Sequence, residues 1–255
     1  MIHPTAIIDS NANIDESVEI GPYCIIKGDV TIKKNTTLGS HVVIQGKTEI
    51  GEDCSISPFT SLGGPPQDIS YVDEDTVLII GDNNVIKEYV TMNRGTKKGG
   101  GMTVVGNNNF IMAYVHIAHD CKVGNYSIMA NCATLAGHVE VEDSVHFAGL
   151  CAVHQFCRIG KLAFVSGLTG VPKDVPPFMI AAGSRAKLYG LNVVGLERHG
   201  FPKEEISKLK KAYRILFRSA LPLTESLKII REELSGEHIS ELAEFIQSSK
   251  RGICR

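Results

Sequence analysis

The sequence predicts a mainly β protein, a parallel β-helix followed by an α-helical domain. Three observations predict it: an aliphatic residue at every sixth position, a small or β-branched residue two positions before each, and a change to helical periodicity near the C-terminus. A period of six fits neither an α-helix, which repeats at 3.6 residues, nor a simple strand, which repeats at two. It is the hexapeptide pattern of a solenoid.

The repeat occurs in two runs. Its aliphatic positions are Ile2, Ile8, Ile14, Ile20, Ile26, Ile32, Leu38, Ile44, Ile50, Ile56 and Leu62, and then Val105, Ile111, Ile117, Val123, Met129, Leu135, Val141, Phe147, Val153, Ile159, Val165 and Val171. Side chains two apart on a strand share a face, so the preceding small residue faces the same interior. Three units close one triangular coil of eighteen residues, and about nine coils are expected. Glycine often follows the aliphatic residue, as at Gly21 and Gly39, where we expect it to supply positive φ angles at the corners.

Two polar segments interrupt the repeat, at residues 63–79 and 93–103. Ile80 follows Leu62 by eighteen residues, so we expect the first loop to replace one coil. Loops that leave a rigid scaffold often carry function. The second segment is basic and rich in glycine; a phosphate cradle is one interpretation, and an ordinary surface loop is the favoured one.

The β-helix is expected over residues 1–187 and the α-helical domain over residues 188–255. Pro202 marks a helix start and is followed by acidic residues, which suit a first turn. Two further helices are expected at residues 224–234 and 239–247. This helical tail would cap the open strand edges at the end of the rod.

Composition narrows the classes of function. The chain has 255 residues, a net charge of −2 and seven cysteines. Five of these occupy the small interior position of the repeat, where a buried hydrophobe is favoured over a metal ligand or a disulfide: Cys24, Cys54, Cys121, Cys151 and Cys157. Neither a secretory leader nor an apolar run of membrane-spanning length is present, so we expect a cytoplasmic protein without membrane insertion. No nucleic-acid partner is expected.

Charge is distributed unevenly. Residues 156–218 carry twelve Lys or Arg against four Asp or Glu. This stretch is either a solvated face or a docking surface for an acidic partner at the C-terminal end of the rod.

Histidines cluster in the second half of the repeat. His116, His119, His138 and His154 lie outside the interior positions, and coils one turn apart are adjacent in space. A neutral imidazole can take a proton from a sugar hydroxyl near neutral pH, as acyl transfer to a weakly acidic alcohol requires. One histidine suffices as the base.

Four motifs carry a resemblance to a known family: His-Ile-Ala-His-Asp-Cys at 116–121, Leu-Ala-Gly-His-Val at 135–139, Ala-Val-His-Gln-Phe-Cys at 152–157 and Asp-Val-Pro-Pro at 174–177. With them the chain resembles, over nearly all its length, the UDP-N-acetylglucosamine O-acyltransferases that begin lipid A synthesis. The resemblance implies left-handed winding and transfer of an (R)-3-hydroxyacyl chain from acyl carrier protein to the 3-hydroxyl of UDP-N-acetylglucosamine. It also implies a homotrimer with the active site between rods, docking of the carrier protein on the basic stretch, and no metal or bound cofactor.

The resemblance further implies roles for individual residues. His119 would be the general base, Asp120 would orient it, and the backbone N–H of Gly137 would hold the developing oxyanion. Neighbours on an extended strand point to opposite faces, so the His-Asp pair can cooperate only at a corner. The nucleotide-sugar would contact Asp68, His116, His138, His154, Gln155, Asn192 and Arg198, and Gly167 would line the acyl channel.

Two positions depart from the family pattern. Ser70, in the substrate-binding loop, stands where a lysine is common, and Arg185 stands where a histidine is associated with the distal end of the acyl chain. The first departure leaves open a 3-amino sugar as the acceptor. The second leaves the acyl length open.

Other readings predict different features. The N-acyltransferase that acts later in the same pathway carries a uridine-binding domain first, and here the repeat starts at Ile2. A zinc-dependent solenoid of the γ-class carbonic anhydrase type would place three histidines on one metal ion. A non-catalytic scaffold or an ice-binding rod predicts regular polar faces without clustered histidines.

Overall fold

A computed structural model describes residues 1–255. The chain forms a triangular, left-handed parallel β-helix with four α-helices at its C-terminal end. Each coil passes from sheet 1 to sheet 2 to sheet 3, and we name the corners after the sheets they join: corner 1–2, corner 2–3 and corner 3–1. None of the helices is long and apolar enough to cross a membrane.

Most strands are two to four residues long. Sheet 1 contains Ile7–Ile8, Ile25–Lys27, Val43–Gln45, Ser61–Gly64, Thr91–Asn93, His116–Ile117, Thr134–Leu135, Ala152–Val153 and Gly170–Val171. Sheet 2 contains Asn13–Ile14, Val30–Ile32, Lys47–Ile50, Val77–Ile80, Met102–Val105, Lys122–Val123, Glu140–Val141 and Arg158–Ile159. Sheet 3 contains Glu19–Ile20, Thr37–Leu38, Ser55–Ile56, Val85–Ile86, Phe110–Ile111, Ile128–Met129, His146–Phe147, Phe164–Val165, Met179–Ala182 and Lys187–Leu191. The nine strands of sheet 1 correspond to the nine coils expected.

The aliphatic residue of each unit fills the interior of the rod. Ile26 pairs with Ile44 and Ile44 with Leu62, and all three side chains are fully buried. Burying one such side chain stabilises the fold by about 1.5–3 kcal/mol, and because coils contact mainly their neighbours the contributions add along the rod.

Corner geometry differs from the expectation for glycine. Gly21 and Gly39 do not have positive φ, and at most corners a non-glycine residue has it, as at Tyr23 (58°) and His41 (61°). Glycine has positive φ at corner 1–2 of two early coils, at Gly28 (92°) and Gly46 (68°). Gly21 serves close approach between coils instead, because a Cβ there would lie 2.8 Å from the carbonyl carbon of Gly39. At corner 3–1 the left-handed positions carry a stacked column of rings, Tyr23, His41, Phe59, Tyr89 and Tyr114, with centroids 4.8–5.2 Å apart.

Both interruptions of the repeat leave the rod at corner 1–2, on successive coils. Leu62 pairs with Met92, thirty residues on instead of eighteen, so the first insertion adds twelve residues before the strand Val77–Ile80. The expectation that this loop replaces a coil is wrong, because Ile80 pairs directly with Ile50. The spacing from Leu62 to Ile80 is preserved only because the insertion equals two repeat units. The second insertion adds seven residues before Met102–Val105 and contains the 3₁₀ turn Lys97–Gly99.

The end of the rod is closed by several segments. Met179–Ala182 continues sheet 3 and pairs antiparallel with Lys187–Leu191. The boundary expected between residues 187 and 188 therefore falls inside a strand pair. The helical part begins with α1 at Val193–Arg198.

Three longer helices follow, α2 at Lys203–Phe217, α3 at Leu223–Glu233 and α4 at Glu237–Ser248. Helix α2 starts directly after Pro202, and its buried face is Ile206, Leu209, Ala212, Tyr213 and Leu216. The chain's last residues then return to the rod, where Ile253 pairs in parallel with Asp174.

Candidate active site

His119 and Asp120 lie at corner 1–2, directly after the strand His116–Ile117. Asp120 occupies the left-handed position of the corner, with φ 61°. This conformation turns two adjacent side chains toward each other, which an extended strand could not do. Nδ1 of His119 lies 2.7 Å from Oδ2 of Asp120. The sequence indicated that the two side chains could cooperate only at a corner, and the structure places them at one.

The Asp120 carboxylate is fully buried. It accepts hydrogen bonds from the backbone N–H of Thr96 (2.7 Å, to Oδ1) and from the Thr96 hydroxyl (2.8 Å, to Oδ2), in addition to the His119 contact. A buried carboxylate is tolerated only with such donors. An ionised Asp120 acts as acceptor only, so Nδ1 of His119 carries the proton and Nε2 presents its lone pair.

Gly137 lies against the His119 ring, one coil further along the rod. A Cβ at this position would be 2.6 Å from Cε1 and 2.8 Å from Nε2 of the imidazole. Its carbonyl accepts from Phe156, but its backbone N–H donates no hydrogen bond within the protein. An unbonded N–H is a donor available to a negatively charged oxygen.

His138 and His116 flank the pair. The rings of His119 and His138 meet edge to face, with centroids 5.2 Å apart, and His138 stacks on Phe156. Nδ1 of His116 is hydrogen-bonded to the Thr91 hydroxyl at 2.7 Å. Burial lowers the pKa of both His116 and His138 below the usual value for histidine. Both rings are therefore neutral near pH 7, where an imidazole can either donate or accept.

Four further expected residues also lie along corner 1–2. His154 and Gln155 are exposed, one coil beyond His138. Asp68 and Ser70 lie in the first insertion, where the backbone N–H and the hydroxyl of Ser70 both donate to Asp68 Oδ1, at 2.8 and 2.9 Å. These two bonds lower the pKa of the Asp68 carboxyl. Ser70 thus holds Asp68 in place.

Asn192 and Arg198 lie elsewhere, on α1 beside sheet 3 and corner 2–3. They line a cavity of about 400 Å³ together with residues such as Tyr126, Ser144 and His146. Both ends of the Asn192 amide are in use, since Oδ1 accepts from the Gly195 N–H and Nδ2 donates to the Leu162 carbonyl. A single chain does not bring these two residues to His119.

Gly167 and Arg185 are also remote from the pair. Gly167 lies at corner 3–1, and a Cβ there would meet only the Gly149 carbonyl, at 3.4 Å. Arg185 is exposed in the turn between the strands Met179–Ala182 and Lys187–Leu191.

Sequence reasoning missed two parts of the site region. The first is His146, which lies directly before the interior Phe147 on its strand. His116 takes the same position before Ile117, and this shared position could have identified His146 from the sequence. Burial, followed by the charge of Arg198, lowers the pKa of His146. The second insertion was expected to be an ordinary surface loop, which is wrong, because its Thr96 holds Asp120.

One group of side chains could geometrically hold a metal ion: His119, Asp120 and His138, whose ligand atoms lie within 4.8 Å of one another. Nδ1 of His119 and both Asp120 oxygens are already engaged in hydrogen bonds. The group contains two histidines and one aspartate. This chemistry does not match the three-histidine site of the zinc-dependent alternative.

Comparisons with known proteins first define the class. The bacterial transferase hexapeptide model matches residues 29–64 and 102–137, so the rod is that of a hexapeptide-repeat transferase. A second model, UDP-N-acetylglucosamine O-acyltransferase domain 2, matches residues 174–254.

Individual relatives specify the class further. The acyl-[acyl-carrier-protein]–UDP-N-acetylglucosamine O-acyltransferase of Thermodesulfovibrio yellowstonii is 58% identical over 255 residues, covering 100% of this chain and 99% of the relative. The crystal structure of the Bacteroides fragilis UDP-N-acetylglucosamine acyltransferase superposes with a TM-score of 0.98 at 38% identity, covering 100% of both chains. The Francisella novicida enzyme gives 0.96 at 42% identity, covering 100% and 94%. The chain belongs to the UDP-N-acetylglucosamine O-acyltransferase family and is an enzyme.

Proposed function

We propose that the protein transfers an (R)-3-hydroxyacyl chain from acyl carrier protein to the 3-hydroxyl of UDP-N-acetylglucosamine, with His119 as general base. The observation that carries the proposal is the free Nε2 of His119, whose ring is fixed by Asp120 on one side and lies against Gly137 on the other. Acyl transfer requires a proton acceptor and a hydrogen-bond donor to the oxyanion, and His119 and Gly137 would supply them.

The reaction follows from this geometry. Nε2 of His119 takes the proton of the sugar hydroxyl as its oxygen attacks the thioester carbonyl. The N–H of Gly137 donates to the oxyanion of the tetrahedral intermediate. Collapse expels the thiolate of the carrier, which receives the proton from Nε2, so the products are the sugar ester and a free thiol. Asp120 stabilises the imidazolium between the two transfers.

The acceptor is the 3-hydroxyl in this proposal. The alternative, a 3-amino sugar, would form an amide at the same position. It is tested by assaying the purified protein with carrier-bound acyl chains of several lengths against UDP-N-acetylglucosamine and its 3-amino analogue. Ester formation at least about tenfold faster than amide formation supports the hydroxyl, and the reverse ratio overturns it. The same assay reveals the preferred acyl length.

His119→Ala tests the general base. Transfer should fall by about 100-fold or more, because a positioned base typically contributes that factor. His41→Phe is the matched control, since it changes a histidine in the ring column at corner 3–1 and keeps an aromatic ring there. Activity of His119→Ala within about tenfold of wild type contradicts the role. Stoichiometric zinc required for activity would also contradict the mechanism.

A homotrimer is part of the proposal. Asn192 and Arg198 lie at corner 2–3 in one chain, and His119 lies at corner 1–2. A three-fold arrangement of rods places one chain's corner 1–2 beside a different surface of the next chain, so a complete nucleotide-sugar site would form in each cleft.

Mixed trimers test this arrangement. His119→Ala and Arg198→Ala are each expected to be nearly inactive, and co-assembled chains should recover about a quarter of wild-type activity, because one in four clefts then receives both intact residues. Activity no higher than that of either variant alone would show that the two residues do not share a cleft.

The carrier protein is assigned to the basic stretch near the rod's C-terminal end. Lys187, Lys210 and Arg214 are exposed and form no ion pair, whereas Lys208 and Lys211 are paired with Glu205 and Glu233. Salt should therefore raise the KM for the acyl carrier protein more than the KM for the sugar nucleotide.

A cytoplasmic location is also proposed, supported by seven unpaired cysteines, since reducing compartments keep thiols free.

A further inference from the structure

Thr96 lies in the second insertion and is buried, with 5% of its surface exposed. Its hydroxyl donates to Asp120 Oδ2 at 2.8 Å, and its backbone N–H donates to Asp120 Oδ1 at 2.7 Å. The third hydrogen bond of the carboxylate is with His119 Nδ1 at 2.7 Å, and Nε2 of His138 lies 3.6 Å from Oδ2. Thr96 therefore provides two of the three hydrogen bonds that this carboxylate receives.

The insertion around Thr96 is built to maintain these bonds. The Thr96 hydroxyl also accepts from the Gly99 N–H at 3.0 Å, which caps the 3₁₀ turn Lys97–Gly99. Glu74, in the first insertion, accepts from the Lys97 N–H at 2.7 Å. A Cβ on Gly99 would overlap the Asp120 carboxylate. The two insertions thus lock the turn against the acidic member of the pair.

The backbone of Asp120 is held separately. Its N–H donates to the Thr103 hydroxyl at 2.8 Å. Thr103 therefore fixes the main chain at the corner, and Thr96 fixes the rotation of the carboxylate. With Thr96 absent, the His119 hydrogen bond and the longer His138 contact would be left to restrain that rotation.

We propose that Thr96 is a positioning residue for acyl transfer: its two donors hold the Asp120 carboxylate in the orientation that keeps the proton on Nδ1 of His119 and leaves Nε2 free to accept the proton of the acceptor hydroxyl. This inference rests on the proposed function of the His119–Asp120 pair. Thr96 contacts neither substrate and acts through Asp120. A histidine in the other tautomer would present a donor to the hydroxyl and could not act as a base.

Thr96→Val removes the hydroxyl and keeps both the shape and the backbone donor. We expect kcat to fall by about tenfold, with both KM values within about twofold of wild type, because the orientation of the base is needed in the transition state and substrate binding is not altered. Thr96→Ser should restore kcat to within about twofold. Thr36→Val is the matched control, since Thr36 is equally buried and bonds Gly51 and Cys54 far from the site.

A double-mutant cycle separates positioning from a general effect of the loop. In an Asp120→Ala background, Thr96→Val should lower kcat by less than about twofold further, because two residues that act as one unit are not additive. An equal, multiplicative loss in both backgrounds overturns the inference, as does unchanged kcat in the single variant. Near wild-type activity of Asp120→Ala alone would instead contradict the proposed catalytic pair.

Discussion

Gly137 lies so close to His119 that a Cβ on residue 137 would be 2.6 Å from Cε1 of the imidazole. The contact joins two successive coils of the rod at corner 1–2. The N–H of the same glycine donates no hydrogen bond within the protein. Glycine is therefore required at this position for space rather than for an unusual φ.

Gly137→Ala is predicted to lower kcat by about 100-fold, because the new methyl group displaces the His119 ring from its hydrogen bond with Asp120. The melting temperature and the kinetic constants together check this. Gly170→Ala is the control, since a Cβ there meets nothing within 4 Å. Equal kcat values for the two variants would refute the steric argument.

Acid is predicted to destabilise the fold through the partly buried His146. Burial, and then the charge of Arg198, lowers the pKa of His146 below its ordinary value of 6.5. The folded state thus favours neutral His146, and its stabilising contribution is complete above the unfolded pKa and lost as pH falls through that value toward the depressed folded pKa.

His146→Gln should therefore show a smaller drop in melting temperature than wild type between about pH 7.5 and pH 5. The exposed His3→Gln variant should follow the wild-type curve. Parallel curves for His146→Gln and wild type would rule out this contribution of His146.

Thiol reactivity is predicted to be confined to Cys132. Burial raises the pKa of Cys121 and Cys157 to about 12, and that of Cys151 and Cys254 to about 11. The thiolate is the reactive species, so these groups should resist a disulfide reagent in the native state.

A chromogenic disulfide such as dithiobisnitrobenzoate measures this directly. Native protein should release about one equivalent rapidly, Cys132→Ser about none, and unfolded protein all seven. Rapid release from native Cys132→Ser would show that another thiol is accessible.

Asp174 is predicted to be a stability residue. Its buried carboxylate accepts from the Arg158 N–H at 2.9 Å and from the Ser249 hydroxyl at 2.6 Å. Asp174→Ala leaves both donors without a partner and should cost about 2 kcal/mol of unfolding free energy. A urea titration measures this, with Asp29→Ala as the surface control. Coincident unfolding curves would contradict the prediction.

Sequence periodicity predicted the rod because its physical cause is local. Each interior residue, such as Ile44 or Ile117, lies only two or six positions along the chain from the next interior residue. A short segment of sequence therefore shows the complete six-residue repeat. The family resemblance supplied the left hand, which periodicity does not determine. The helices after Pro202 were predictable for the same local reason.

The partners of Asp120 were not predictable in this way. Thr96 is twenty-four residues away, in an insertion whose sequence is polar and without period. The contact between Thr96 and Asp120 depends on where the second insertion leaves the rod. The eighteen-residue spacing between Leu62 and Ile80 suggested a replaced coil, and so it hid the fact that both insertions leave at the same corner. Asn192 was expected from the sequence to bind the nucleotide-sugar. In the structure its side chain also has a structural role, because its Oδ1 accepts from the Gly195 N–H at the start of α1.

Ile253 forms a parallel β-bridge with Asp174 at the end of sheet 2. A solenoid of this kind has no intrinsic length, and another rod's first coil could in principle stack on an uncovered end. By pairing with Asp174, Ile253 occupies the edge at which such stacking would begin. Residues that follow the last coil thus limit the length of the stack and protect it against end-to-end fibres.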